Sequence, residues 1–126
     1  IVKYSKMFEM NDVLNNKIES YSHGMRQKIV LIGALVHEPK VWILDEPLTG
    51  LDPKSSYTLK EMMREHVSKG NVVLFSTHVL EVAEKVCDHV FIINKGKIIF
   101  NGEMGELKNK KDESLEKIFL ELVENE

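Results

Sequence analysis

Apolar residues alternate along the chain between short continuous runs and helically spaced stripes. The runs predict strands covered on both faces, because such strands read as unbroken hydrophobic segments. They lie at 41–44, 72–75 and 90–93. A fourth run, 98–100, follows the turn residues 94–97 and predicts a hairpin with 90–93. Asn101-Gly102 is then expected to turn the chain again. The pattern predicts an α/β fold with a parallel-sheet core and a C-terminal hairpin.

The stripes predict the helices between these strands. Ser22 is a good N-cap for a helix over residues 24–36, and Asp52 is one for a helix that has Pro53 in its first position and ends by Gly70. In the first of these helices, Met25, Ile29, Ile32 and Val36 are expected to lie on one face, with Leu31 and Leu35 beside them. Further helical segments are predicted around Met7, Met10 and Leu14, over 79–86, and through Leu115, Ile118, Phe119 and Leu122, with a charged link at 108–113.

Length and composition set limits on the class of protein. The 126 residues are enough for one core, and 43% hydrophobic with 29% charged residues is ordinary for a soluble domain. A net charge of −3 gives no basic field, so no nucleic acid partner is expected. A single cysteine, Cys87, excludes an internal disulfide and fits a reducing compartment. The first residue is Ile1, which suggests a piece of a longer protein.

Two adjacent carboxylates, Asp45 and Glu46, directly follow the apolar run 41–44. Ligands of open α/β sheets bind at the carboxyl ends of the strands, so these acids are placed for chemistry. Neighbouring side chains on extended backbone point to opposite sides, which allows one acid to hold hydrated Mg²⁺ and the other to accept a proton from water. A lone acidic pair is more often merely solvated, but the whole string through Pro53 is far more specific.

Two further positions are candidates for phosphate contact. The segment Ser22-His23-Gly24-Met25 opens a helix whose free N–H groups and positive dipole end suit an anion, and Gly24 permits close approach to the backbone. The spacing alone favours an ordinary capped core helix. His78 follows the strand 72–75, where a lone histidine is usually structural.

Taken together, these segments resemble the motifs of ABC-type ATPases in order and spacing. Residues 21–28 resemble the signature motif, 41–47 the Walker B strand, 48–52 the D-loop and 76–78 the switch histidine. The resemblance covers essentially the whole chain. The form of the signature, with Phe-Asn-Gly at 100–102, is most similar to ATPase subunits of bacterial ABC-2-type exporters, including multidrug exporters.

The resemblance implies a P-loop NTPase core of the RecA type, with ATP and Mg²⁺ as cofactors. It implies that Asp45 holds Mg²⁺, that Glu46 is the general base and that His78 senses the γ-phosphate. It assigns Ser22, His23, Gly24 and Met25 to ATP held by the opposite subunit. Asp52 would carry contacts across that dimer. The commonest signature has Leu, Gly and Gln where this chain has Tyr21, His23 and Met25, and a methionine side chain cannot donate a hydrogen bond.

The phosphate-binding loop of the family does not occur in this sequence. No Gly-x-x-x-x-Gly-Lys-Ser/Thr is present, and no counterpart of the family's glutamine loop is identifiable. The expected organisation is therefore the end of a helical subdomain at 1–20 and the C-terminal part of the ATPase core at 21–126, truncated before its P-loop strand. Such a piece is expected to be inactive alone, although its parent protein would be an ATPase.

The implied partners are a transmembrane permease subunit and a second ATPase subunit arranged head to tail, which places the protein on the cytoplasmic face of the membrane. Two other interpretations remain. One is a soluble ABC-type ATPase serving DNA repair or translation, against which the net charge and the exporter-like signature weigh. The other is an interaction domain without catalysis, against which intact Glu46 and His78 argue. The transported substrate is not encoded in these residues.

Overall fold

A computed structural model describes residues 1–109 and 114–124. The chain forms two compact units, residues 1–76 and residues 77–126. In the described residues, unit 1 contains a parallel pair of strands and three α-helices, and unit 2 contains a hairpin and three α-helices. Among the helices that the structure describes, none is both long and apolar enough to cross a bilayer.

The sheet of unit 1 consists of strands β1 (Val41–Leu44) and β2 (Val72–Phe75). They pair in parallel, with Val41 opposite Val72 and Leu44 opposite Phe75. The amide of Ser76 donates to the carbonyl of Leu44 at 3.0 Å, which extends the ladder past the end of β2. Both strands therefore end at one edge, and the predicted parallel pairing of apolar runs is confirmed.

The helices of unit 1 begin where the sequence places their caps. They are α1 (Val2–Met7), α2 (His23–Leu35) and α3 (Pro53–Ser68). Ser22 caps α2 and Asp52 caps α3, each accepting a hydrogen bond from a backbone amide three residues later. Helix α3 ends at Lys69, and Gly70 follows in the left-handed region with φ 82°. These cap predictions are confirmed.

The prediction of one helical segment through Met7, Met10 and Leu14 is wrong. Helix α1 ends at Met7, and Glu9 adopts φ 57°, which continues neither helix nor strand. Two 3-10 turns follow, at Asn11–Val13 and Ile18–Ser20. Met10 is buried nonetheless, so its apolar character reflects the core and not a helical stripe.

Strand β1 is covered on one face only, which contradicts the expectation of burial on both. Trp42 and Leu44 are buried, whereas Val41 is 53% exposed and Ile43 is 75% exposed. The core of unit 1 lies on the Trp42 side, where Leu59 and Met63 of α3 are buried. Alternate residues of a strand point to opposite faces, and in the described residues no helix covers the second face.

Unit 2 is built on the antiparallel hairpin of β3 (His89–Asn94) and β4 (Lys97–Glu103). Its helices are α4 (Leu80–Val86), α5 (Met104–Asn109) and α6 (Leu115–Glu124). Val90 and Ile92 face a core to which these helices contribute Ala83, Met104, Leu107, Leu115 and Ile118. The predicted final helix is confirmed, and its buried stripe supplies Leu115 and Ile118.

Two sequence predictions in unit 2 need correction. Asn101-Gly102 does not turn the chain, because Asn101 pairs with Phe91 and Gly102 with Val90 inside β4. The register of the hairpin shifts between Ile92 and Ile93. Ile92 pairs with Phe100 and Ile93 pairs with Ile98, so β4 has one extra residue, Ile99, at this point. The charged link predicted for 108–113 begins inside α5, and its remainder lies outside the described residues.

Candidate functional site

The two carboxylates that follow β1 are held by a serine that follows β2. The hydroxyl of Ser76 donates a hydrogen bond to Oδ1 of Asp45 and accepts one, at 2.9 Å, from the backbone amide of Glu46. Asp45 is exposed and Glu46 is half-buried. The carboxyl edge of the parallel pair therefore presents two acids side by side, with their backbone tied to the neighbouring strand.

Glu46 stands in a backbone conformation that glutamate rarely adopts. Its φ is 45°, in the left-handed region, where a non-glycine residue costs roughly 1–3 kcal/mol. Its amide donates to Ser76, and its carbonyl accepts from the amide of Thr49 at 3.1 Å. The hydroxyl of Thr49 also donates to Oε2 of Glu46 at 3.4 Å, and the fully buried Pro47 follows. Such strain is retained where the surroundings impose a conformation, and it clusters at functional sites. Glu9, Glu38 and Lys95 also have a positive φ, so the contacts around Glu46 matter more than the angle itself.

The start of α2 lies against the loop that follows these acids. A Cβ atom on Gly24 would come within 2.9 Å of the carbonyl oxygen of Gly50, so no other residue fits at position 24 without a shift. The ring of His23 covers Gly50 from the other side, because a Cβ there would lie 2.7 Å from His23 Cδ2. Gly50 has φ 76°, which also favours glycine. The structure therefore explains Gly24 by the close approach of the Gly50 backbone within the chain.

The N-cap of α2 uses the backbone amide of Met25, one of the N–H groups that the sequence analysis considered as donors to an anion. The amide of Met25 donates to Oγ of Ser22 at 3.3 Å. Ser22 itself is exposed, as is His23. The guanidinium of Arg26, one turn into the helix, donates to the carbonyl of Glu19 at 3.1 Å and keeps its positive charge. The start of α2 is thus capped and exposed. The Ser22 oxygen accepts the capping bond, so the hydroxyl hydrogen is not used by the cap.

Asp52 is joined to α2 by an ion pair. Nζ of Lys28 lies 2.7 Å from Oδ2 of Asp52, and the Lys28 side chain is only 12% exposed. Asp52 also accepts hydrogen bonds from the amide of Ser55 at 2.9 Å and from its hydroxyl at 2.7 Å. The hydrogen-bonded Lys28 ammonium and these two Ser55 donors hold the pKa of Asp52 well below its usual range. The carboxylate is therefore fixed as an anion that links α2 to the start of α3.

His78 belongs to unit 2. It is exposed and lies just before α4, where the amide of Val79 donates to Oγ1 of Thr77 at 3.1 Å. His78 borders an open pocket shared with the carboxylates of Glu81, Glu84 and Glu116. Two of these carboxylates are paired with cations, because Lys85 lies 2.6 Å from Glu81 and Lys108 lies 2.7 Å from Glu84.

Comparisons with known proteins agree with this arrangement. The family model described as ABC transporter matches residues 1–49. A solved ATP-binding subunit of an ABC transporter superposes on 96% of this chain with a TM-score of 0.88 and 30% sequence identity, and this chain covers 52% of it. The fold also matches a dimeric ATP-binding cassette in a post-hydrolysis state with ADP and Pi, at TM-score 0.73 and 22% identity, over 82% of this chain and 45% of that one.

Sequence relatives give the same family. The chain is 37% identical over 117 residues to the ABC transporter ATP-binding protein NatA of Bacillus subtilis strain 168, covering 92% of this chain and 48% of NatA. It is 45% identical over 111 residues to the uncharacterized ABC transporter ATP-binding protein YxlF of the same organism, covering 86% and 37%. The chain belongs to the ABC transporter ATP-binding family. Its α/β architecture is the P-loop NTPase fold of that family.

A third ABC relative carries a functional name. The Nod factor export ATP-binding protein I of Rhizobium leguminosarum bv. viciae is 38% identical over 88 residues, which cover 70% of this chain and 28% of that protein. The chain spans half the length or less of these three relatives. Its similarity to ABC proteins therefore concerns one part of an ATP-binding subunit.

In the ABC framework, the structure brings together most of the residues that the sequence singled out. Unit 1 contains Ser22 to Met25 against the 46–52 loop, and it contains Asp45 and Glu46 beside Ser76. Sequence reasoning missed the contacts of Ser76 and Lys28. Lys28 stands at the head of the stripe that the buried residues Leu31, Ile32 and Leu35 continue, so helical spacing could have placed its ammonium toward the core. Nothing in the sequence signals the hydrogen bonds of Ser76, which depend on strand pairing.

The donor set suits a magnesium ion better than a metal held by protein alone. Among the described residues, no three His, Cys, Asp or Glu side chains are grouped to hold a metal. Mg²⁺ commonly takes one or two carboxylates and completes its shell with water and substrate phosphates. The exposed Asp45 carboxylate at the end of β1 fits that mode of binding in an ABC protein.

Proposed function

We propose that this chain is the C-terminal half of an ATP-hydrolysing subunit of an ABC transporter. The observation that carries the proposal is the acid pair at the carboxyl edge of β1, with Glu46 held at φ 45° beside Asp45 in a chain of the ABC family. The parent protein is the gene product that joins this half to a phosphate-binding loop. The relatives, of which this chain covers half or less, support that organisation.

In this proposal, Asp45 and Glu46 divide the chemistry. Asp45 holds Mg²⁺, largely through water, and that ion offsets the negative charge of the phosphates when it is bound. Glu46 orients the attacking water and accepts its proton. Phosphoryl transfer depends mainly on position and charge, which makes the fixed backbone of Glu46 relevant to rate. His78 contacts the γ-phosphate, a role that rests on the resemblance of residues 76–78 to the switch motif.

The start of α2 acts on the nucleotide of a second ATPase subunit. Ser22, His23, Gly24 and the Met25 backbone form an exposed, capped helix end, which suits phosphate once a second subunit brings it there. Asp52 contributes to the dimer indirectly. Since its carboxylate is engaged with Lys28 and Ser55, we infer that it fixes the shape of the 48–52 loop, whose backbone meets the other subunit.

The proposed partners are a transmembrane permease subunit and a second ATPase subunit, and export is the direction that the signature favours. The proposed place is the cytoplasmic face of the membrane. Residues 1–20 are proposed to end a helical subdomain, and residues 21–126 to belong to the ATPase core. Names of relatives such as NatA and the Nod factor export protein support transport without specifying a substrate for this chain.

Replacing Glu46 by Gln tests the catalytic assignment. In the parent protein, Glu46→Gln removes the base while keeping the side chain's size, so we expect ATP turnover to fall about 10²–10⁴-fold. Bound ATP should persist, because the amide leaves phosphate contacts in place. Steady-state phosphate release and the nucleotide content of the isolated mutant give both readouts.

Glu61→Gln is the matched control for that substitution. Glu61 lies on the exposed side of α3 and pairs with Arg64, away from the acid pair in sequence and role. Its replacement should leave turnover within about twofold of wild type, as surface ion pairs contribute little. Turnover of Glu46→Gln within about threefold of wild type contradicts the assignment of Glu46 as base.

Mixing two defective proteins tests whether Ser22 acts on the opposite subunit. Ser22→Arg in the parent protein places a bulky charged side chain at the helix end that should meet phosphate. A heterodimer of this variant with a subunit whose phosphate-binding loop is disabled retains one intact site. We expect the mixture to hydrolyse ATP faster than the sum of the two proteins assayed apart.

Ser20→Arg provides the control for charge near the helix. The Ser20 hydroxyl bonds only locally, to the carbonyl of Lys17 at 2.7 Å, and precedes the cap by two residues. Ser20→Arg protein should therefore hydrolyse ATP by itself, without the second mutant subunit in the mixture. If Ser22→Arg mixtures show no gain over the separate proteins, Ser22 does not act across the dimer.

A further inference from the structure

The hydroxyl of Ser76 contacts both acids at the edge of β1. Its oxygen donates toward Oδ1 of Asp45 and accepts from the amide of Glu46 at 2.9 Å. Ser76 is placed by the parallel ladder, because its own amide donates to the carbonyl of Leu44 at 3.0 Å. The side chain therefore sits on a backbone that is fixed relative to β1.

The hydrogen-bond inventory of serine matches these two partners. A hydroxyl has one hydrogen to donate and lone pairs to accept with. Ionised Asp45 can only accept, so it takes the hydroxyl hydrogen, and the amide of Glu46 can only donate, so it uses the hydroxyl oxygen. Alanine offers neither bond, and threonine offers both. Substitutions at Ser76 can therefore test whether both hydrogen bonds, one donated to Asp45 and one accepted from Glu46, are needed.

The contact to Glu46 acts at the residue whose backbone is strained. Glu46 at φ 45° is disfavoured unless its neighbours stabilise that conformation. The amide that Ser76 binds is on the rotating φ bond itself, so losing the bond removes the restraint nearest the strain. Relaxation of φ would redirect the Glu46 side chain. An error of about 1 Å at a catalytic group can lower a rate about 10²-fold.

We propose that Ser76 is a positioning residue, whose hydroxyl sets the backbone of Glu46 and the orientation of the Asp45 carboxylate. It touches neither substrate nor the attacking water in this role. The part of the proposal that concerns rate rests on the proposed ATPase function. The part that concerns structure stands on the geometry of this chain alone.

Amide exchange in the 126-residue chain tests the structural part. By NMR, the amide of Glu46 should exchange roughly tenfold faster in Ser76→Ala than in wild type, since its acceptor is gone. Ser76→Thr should keep the wild-type rate. Ser68→Ala is the control, because the Ser68 hydroxyl bonds only to the carbonyl of Glu65 near the end of α3. If Ser76→Ala does not fold, Ser76→Cys replaces it, as a thiol is a weak hydrogen-bonding group.

Kinetics of the parent protein test the effect on rate. We expect Ser76→Ala to lower kcat by roughly 10- to 100-fold with KM for ATP within about threefold, because the base is misplaced while most nucleotide contacts remain. Ser76→Thr should recover kcat to within about threefold of wild type. A merely structural serine would give equal loss in both variants or none in either.

The two experiments separate the possible failures. Unchanged exchange at Glu46 in Ser76→Ala overturns the proposal directly. Faster exchange with wild-type kcat, in a protein that Glu46→Gln inactivates, overturns the positioning role but leaves the function intact. Faster exchange in a protein that Glu46→Gln does not slow contradicts the proposed function, while the hydrogen bond itself stands.

Discussion

Asp52 shows how one residue can serve the helix, the loop and the charge balance together. Its carboxylate caps α3, stabilises Ser55 and meets Lys28 of α2. Its capping role is predicted directly from the sequence, since Asp before Pro at a helix start is a strong signal. The ion pair with Lys28 depends on how α2 packs against the start of α3, which the sequence does not show. Helical spacing along α2 places Lys28 on the inner stripe but does not identify its partner.

The depressed pKa of Asp52 predicts that its contribution to stability depends on pH. Because the folded-state pKa lies below the unfolded value, the contribution is present above about pH 4 and is lost as pH falls through the folded-state pKa. Asp52→Asn keeps a good cap but removes the charge, so it should cost about 1 kcal/mol near pH 6. This difference from wild type should shrink between pH 4 and pH 2.5, because Asp52 becomes protonated in the unfolded state while it stays ionised in the folded state.

Denaturant unfolding followed by Trp42 emission measures this effect in unit 1, since Trp42 is the sole tryptophan of the sequence and lies on β1. Lys69→Met is the control, because Lys69 pairs with Glu65 four residues away on the exposed end of α3. It should cost no more than about 0.5 kcal/mol. A wild-type to Asp52→Asn difference that is constant from pH 6 to pH 2.5 contradicts the assigned ion pair.

At the scale of elements, the sequence predicts starts and stops better than it predicts faces. The caps Ser22 and Asp52 and the stop near Gly70 are local chemistry, and each was predicted at its position. Asn101-Gly102 is also a local signal, and it misled, because pairing of β4 with Phe91 and Val90 outweighs the turn tendency of these two residues. Strand pairing is not a local property.

The contact between Gly24 and Gly50 is a second example, inside the candidate site, of a feature that local sequence does not predict. Gly24 was predicted to admit a ligand, and the structure places the Gly50 carbonyl there, at 2.9 Å from where a Cβ would stand. Residues 24 and 50 are brought together only when α2 packs beside the loop after β1. The segments that we propose as the signature and the D-loop thus approach each other closely within this chain, at Gly24, Gly50 and His23.

At the scale of the molecule, each unit leaves an apolar face of its sheet in solvent. In unit 1 the exposed positions pair across the strands, Val41 with Val72 and Ile43 with Leu74, and each of the four is at least 51% exposed. In unit 2, Phe91, Ile93 and Ile98 are at least half exposed on the hairpin. Continuous runs in the sequence correctly indicated strands whose two faces are both apolar. Cover for the second face is not supplied by the described residues.

We therefore expect the isolated chain to self-associate through the exposed face of unit 1. Removing the remaining exposed area of Ile43 and Leu74 contributes of order 1 kcal/mol for each side chain. Strand β2 adds an edge with no second ladder partner in the described part of the chain, and such edges recruit other strands. Because association also costs several kcal/mol of rigid-body freedom, the complex should be weak. Sedimentation equilibrium over roughly 10 to 500 µM should show the mean mass rising with concentration.

The double variant Ile43→Thr, Leu74→Thr tests whether this face is responsible. Threonine keeps strand propensity while replacing apolar surface with hydroxyl groups, so the ladder should survive and the rise in mass should diminish. Val30→Thr is the matched control, because Val30 is 65% exposed but lies on α2, away from the sheet face. Equal association in the double variant and wild type would assign self-association to another surface. A chain that stays monomeric at every concentration would show that two exposed apolar rows do not suffice to join two copies.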